Sequence, residues 1–155
     1  MNRDHMHSHQ CCLAKKALNK GYEHLKCKKQ EIEEIKNFDI LYNIIREIAE
    51  DTDGLGELYS YDTALRIGRT LGIKPDYVYL HAGTRKGAKR LGLNHKADKL
   101  SMKESPECLR SALPEEIEDF LCLYKDCFAL IKNKPSNVPI NTRYIHTIKP
   151  PYTQK

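Results

Sequence analysis

Apolar residues in this chain recur at intervals of three and four, and almost nowhere at intervals of two. Ile40, Leu41, Ile44, Ile45 and Ile48 form the clearest run. That spacing places them on one side of a helix, which turns about 100° per residue. Phe38 ahead of Asp39 suggests a hydrophobic staple and a cap at its start. The run ends before "DTDGLGE", a turn by composition because Gly54 and Gly56 tolerate positive φ.

The same period appears elsewhere. Leu13, Ala17, Leu18, Tyr22 and Leu25 mark a first amphipathic helix near 12–27, interrupted by Gly21. Ile32 and Ile35 anchor a charged stretch after it. Tyr61, Ala64, Leu65, Gly68 and Leu71 line one face of a helix opening at Ser60, with Ser60 as its cap and Asp62 in its first turn. Gly72 followed by Ile73 reads as its stop. Pro75 suits the first position of a short helix through Leu80. Thr84 can cap a further helix that Gly92 and Leu93 end. Pro114 opens the last long helix, where Ile117, Phe120, Leu121, Tyr124, Phe128 and Ile131 keep helical spacing. A short strand near Arg143–Ile148 is the one exception.

The reading is therefore all-α: a small domain of about five to six helices over residues 11–131, between extended termini. Residues 1–10 form a polar, His-rich start. Residues 132–155, with Pro135, Pro139, Pro150 and Pro151, form a basic extended tail. At 155 residues the chain fits one domain. No apolar run reaches the roughly 20 residues needed to span a bilayer, and no signal-peptide core is visible, so the expectation is a cytoplasmic protein without a membrane.

The formal charge is only +5, but its distribution is uneven. Between Arg85 and Lys103 there are seven Lys and Arg residues and one acid, Asp98. Arg85, Lys86, Lys89 and Arg90 cover about 140° of a helix surface, while Gly87, Ala88 and Leu91 fall opposite. A small inner face lets that helix lie close to a neighbour. The outer face is a cationic stripe, and free N–H groups at Gly83 and Thr84 would complete an anion cradle. A solvated lysine-rich face is the plainer explanation of the same residues.

Leu80, Ala82, Gly83, Thr84, Lys86, Ala88 and Leu91, in a helix, tight turn and small-faced basic helix, resemble the helix-hairpin-helix family. That resemblance covers about 20 residues, and the chain has only Gly83 where the family prefers two glycines around a branched apolar residue. It implies binding of a DNA or RNA phosphate backbone through Gly83, Thr84, Arg85, Lys86, Lys89 and Arg90, without base reading and without catalysis.

His81 precedes the Gly83 turn. If the preceding helix packs beside it, Tyr61, Asp62, Arg66, His81 and Arg85 converge. His81, Asp62 and Arg66 are then the catalytic candidates of a small enzyme acting on phosphate esters or nucleotides. The local alternative is an Asp62–Arg66 surface pair and a His81 cap. A third reading is a protein–protein adaptor that docks through its acidic and basic faces.

No cofactor is called for, and no metal site is expected. His5, His7, His9 and Cys11 would share one side of an extended chain, but alternation without a turn does not close a tetrahedral site. The six cysteines are too unevenly spaced for a disulfide framework. Cys122 and Cys127 lie about 140° apart on a helix. Cys127 is expected in the core, and Cys122 off the apolar face.

Overall fold

The structure, a computed structural model, describes residues 13–132, with side chains as far as residue 128. The all-α expectation holds. The helices are α1 (Lys15–Cys27), α2 (Lys29–Glu34), α3 (Phe38–Glu50), α4 (Glu57–Leu71), α5 (Ala82–Leu91), α6 (Pro114–Leu123) and α7 (Lys125–Lys132), and a longer connection with two 3-10 turns, Met102–Glu104 and Glu107–Leu109, leads from α5 to α6. Two strands, β1 (Val78–Tyr79) and β2 (Lys99–Leu100), pair antiparallel with Val78 opposite Leu100. No helix among the described residues is long and apolar enough to cross a membrane. The His-rich start, the tail beyond Lys132 and the strand expected near Arg143–Ile148 lie outside the described residues.

The apolar runs fold into two adjoining cores. Phe38, Leu41, Ile45 and Ile48 of α3 meet Tyr61 and Ala64 of α4 in the first, with Ile32 and Ile35 beneath them. Val78, Leu80, Ala88, Leu100, Ile117, Leu121 and Phe128 form the second. Edge-on aromatic contacts from Phe38 to Tyr61 and Tyr79 join α3, α4 and β1. Not every periodic residue is inside: Ile40 is 55% exposed, because it stands at the edge of the stripe.

Helix ends follow backbone chemistry more than the expected caps. Asn37, not Asp39, caps α3, its side chain accepting from the Ile40 amide at 3.2 Å. Helix α4 starts at Glu57, so Ser60 sits inside the first turn and donates back to the Gly56 carbonyl. The stops at Gly72 and Gly92 are as expected. Both are left-handed, and the amides of Ile73 and Leu93 return to Gly68 and Ala88 at 2.8 and 2.9 Å.

Three further differences matter. The stretch through Leu80 is not a helix but the extended β1, held by pairing with β2 and by the Leu80 amide donating to Asp98 O at 2.8 Å. The long last helix breaks at Tyr124, where the Lys125 ammonium takes the Cys122 carbonyl. After that break Cys127 turns to solvent rather than into the core.

Candidate functional site

His81 is the N-cap of α5, so Ala82, Gly83 and Thr84 form the helix's first turn rather than a connection before it. Thr84 is buried and ties the cap from inside. Its Oγ1 accepts from the His81 amide at 2.7 Å and donates to the His81 carbonyl at 2.9 Å. The imidazole is thereby aimed at α6, where His81 Nε2 hydrogen-bonds Glu118 Oε1. Both side chains are buried, at 3% and 5% exposure. Cys122 stands one turn beyond Glu118 on the same face. One ligand atom from each of His81, Glu118 and Cys122 lies within 4.8 Å of the other two.

Gly83 and Gly87 make this approach possible. A Cβ at Gly83 would sit 2.7 Å from Cys122 Sγ and 3.5 Å from His81 Cε1. A Cβ at Gly87 would fall on the Leu121 backbone, 3.2 Å from its Cα and closer still to its carbonyl. The small inner face read from Gly87 and Ala88 is indeed the face turned to a neighbour, with both residues buried.

The setting disfavours free charge. Burial pushes the Glu118 carboxyl up, and His81 only partly offsets it through its hydrogen bond and charge. Burial, then the Glu118 carboxylate, pushes the Cys122 thiol up, so it is not an activated nucleophile. Asp62 and Asp119 add negative potential at both groups. Tyr61 stacks near His81, with ring centroids 6.1 Å apart, and burial keeps its phenol protonated.

Of the expected constellation, Tyr61, Asp62 and His81 come together, but Arg66 and Arg85 do not join them. Arg85 instead clamps α5 to its surroundings, reaching Ala97 O at 2.6 Å and Glu57 and Asp98 at 3.2 Å each. Lys86 and Arg90 both pair with Asp126, at 3.3 and 2.6 Å. Lys89 is exposed, with no ion-pair partner among the described residues. The sequence reading missed Glu118 as a site residue, and it placed Cys122 off the apolar face without joining it to His81. Their signal was an acid lodged between Ile117 and Leu121 on an apolar helical stripe, four residues from a thiol.

Arg66 belongs to a second feature. A groove of about 510 Å³ runs between α1 and α4, floored by Leu18, Leu25 and Ile67 and rimmed by Lys26, Lys29 and Arg66. A smaller hollow of about 240 Å³ shares Leu25, Lys29 and Ile67 and continues it past Ile32 to Leu71. Tyr22, 56% exposed, stands at its side.

Comparison of the chain with family models, with curated proteins and with solved structures finds no match in any of the three.

Proposed function

We propose that this protein is an interaction module that receives an acidic amphipathic helix of a partner protein in the groove between α1–α2 and α4. The carrying observation is the pairing of an open apolar floor with a cationic rim. Leu18, Tyr22 and Leu25 sit at i, i+4 and i+7 on α1, and Thr63, Ile67 and Thr70 repeat every three or four residues on α4. Two such ridges side by side accept a third helix by the packing that joins helices in any core. From Leu18 to Leu25 the α1 floor alone spans roughly 10 Å at 1.5 Å per helical residue, about two turns of a ligand helix, and Ile32 of α2 extends it.

The rim selects the partner's charge. Arg66 is exposed, and no ion pair within the described residues engages it. Lys26 and Lys29 make exposed ion pairs with Glu23 and Glu33 on their own helices, and Lys26 also lies over the Tyr22 ring. Such exposed pairs yield easily to a partner's carboxylates. The groove is open along its length, which suits a helix better than a small ligand, since small ligands are usually enclosed. The phosphate reading, by contrast, asks Arg85, Lys86 and Arg90 to leave acids they already hold.

The test is selection of a displayed library of helical peptides on the full chain. Selected sequences should carry apolar residues at helical spacing with Asp or Glu beside them. Their binding should weaken about tenfold or more with Arg66→Glu or Tyr22→Ser. Peptides that lack that pattern, or that bind both variants as well as the parent, would remove the proposal.

A further inference from the structure

We propose that His81, Glu118 and Cys122 form a binding site for a single divalent transition-metal ion of the zinc class. The proposal is independent of the groove, which lies on the other side of α4.

The donor set decides the class of ion. An imidazole nitrogen, a carboxylate oxygen and a thiolate sulfur suit a borderline ion such as Zn²⁺ or Co²⁺. Calcium and magnesium take oxygen ligands and gain nothing from a thiolate. Three protein donors are also the usual complement of a zinc site that keeps one open position.

The geometry is close to what such an ion needs. Zinc bonds of about 2.0–2.3 Å place tetrahedral ligands roughly 3.3–3.8 Å apart. The three donor atoms already lie within 4.8 Å of one another. To admit the ion, the His81–Glu118 hydrogen bond must open by roughly 1 Å while Cys122 closes by a similar amount. No backbone rearrangement is required, because Glu118 and Cys122 are one helical turn apart on α6. Thr84 already fixes the His81 backbone. Gly83 keeps the space before the thiol and the imidazole clear, since even a methyl group there would press on Cys122 Sγ.

The electrostatics point the same way. Glu118 is buried, and His81 is its hydrogen-bond partner among the described residues. A buried carboxylate is stabilised by a paired or coordinated cation. A dication would stabilise both the carboxylate and the thiolate, which burial otherwise opposes. On binding, the thiol proton leaves to solvent and the sulfur lone pair forms the metal bond; no redox change is involved.

The full chain carries other ligands near its start, so the test uses a parent in which His5, His7 and His9 are Ala and Cys11 and Cys12 are Ser. Titration with Co²⁺ should give one equivalent bound, with tetrahedral d–d absorption and a thiolate-to-cobalt charge-transfer band, both displaced by Zn²⁺. Cys122→Ser should abolish the charge-transfer band while leaving the circular dichroism spectrum unchanged. Glu118→Gln should weaken Co²⁺ binding about tenfold or more. If Glu118→Gln does not fold, Cys122→Ser carries the test alone. Absence of the band in the parent, or its survival in Cys122→Ser, would overturn the proposal and leave the cluster as a structural hydrogen-bonded pair beside a thiol.

Discussion

Replacing Gly87 with Ala adds a single methyl group where α5 meets α6. The added carbon would lie 2.9 Å from the Leu121 carbonyl carbon and 3.2 Å from its Cα. Carbon pairs prefer about 3.5–4.0 Å and the Leu121 carbonyl oxygen stands closer still, so the helices must part by roughly 1 Å or more. The obstacle is backbone, so no change of rotamer relieves it. Overpacking of this kind costs roughly 1–3 kcal/mol. Alanine returns close to 1 kcal/mol through its better helix propensity. Because the Leu121 carbonyl oxygen is so close, the cost falls at the upper end, and the expected result is a net loss of about 2 kcal/mol, which lowers the melting midpoint by roughly 4–8 °C for a domain of this size. Urea denaturation followed by circular dichroism, with calorimetry, measures it. Lys89→Ala on the exposed face of the same helix is the control, expected within about 0.5 kcal/mol of the parent. A Gly87→Ala protein as stable as the parent would refute the close approach and the α5–α6 geometry with it.

Glu118→Ala strands a buried imidazole and should cost about 3 kcal/mol or more, whereas His81→Ala combined with Glu118→Ala should cost clearly less than the two single losses added; additivity in a double-mutant cycle would mean the pair is uncoupled. Arg85→Gln releases Glu57, Asp98 and the Ala97 carbonyl together and should destabilise by about 1 kcal/mol, while Lys89→Gln should be near neutral; equal effects in urea titrations would contradict the clamp. Burial pushes the Asp39 carboxyl up, but hydrogen bonds from Lys99 and Tyr79 outweigh it and hold the group below its ordinary value. A depressed folded-state value means the stabilisation is present above about pH 4 and lost as pH falls through the folded value, so Asp39→Asn should be less stable than the parent at neutral pH, with the gap closing in acid. A gap that stays constant from pH 7 to pH 2 would refute the role given to Lys99 and Tyr79. Chelator should leave the main melting transition in place, because His81 and Glu118 satisfy each other without an ion; a transition abolished by EDTA would show that folding needs the metal.

Helices α1, α3, α4 and α6 were legible because each buries a stripe wide enough to show its period. Ile44, Ile45 and Ile48 announce α3, and Ile117 and Leu121 announce α6. The stops were legible too, since only glycine takes the left-handed turn at Gly72 and Gly92 at little cost. The strands were not. Two residues cannot display an alternation, and Pro75 ahead of an apolar run imitates a helix start. Glu118 hid for a different reason. An acid near a helix N-terminus is the ordinary complement of the dipole, and only the packing of α5 against α6 shows this one facing inward. The sequence did not show that three of the four cations on the outer side of α5 hold acids from other elements. Glu57 and Asp126, two of those acids, lie 28 and 36 residues away from Arg85 and Arg90.

Successive residues of an extended strand point to opposite sides, and β1 uses that at the boundary between the two cores. Val78 and Leu80 enter one core and Tyr79, between them, enters the other. Three consecutive side chains therefore act as a basting stitch through two layers of cloth. Neither layer can be peeled away while the thread holds, and the thread is anchored on one side by the Leu80 amide and on the other by the Tyr79 hydroxyl on Asp39. Two interiors joined in this way should melt in one event, and amide hydrogens on both sides of the seam should exchange as members of one cooperative unit.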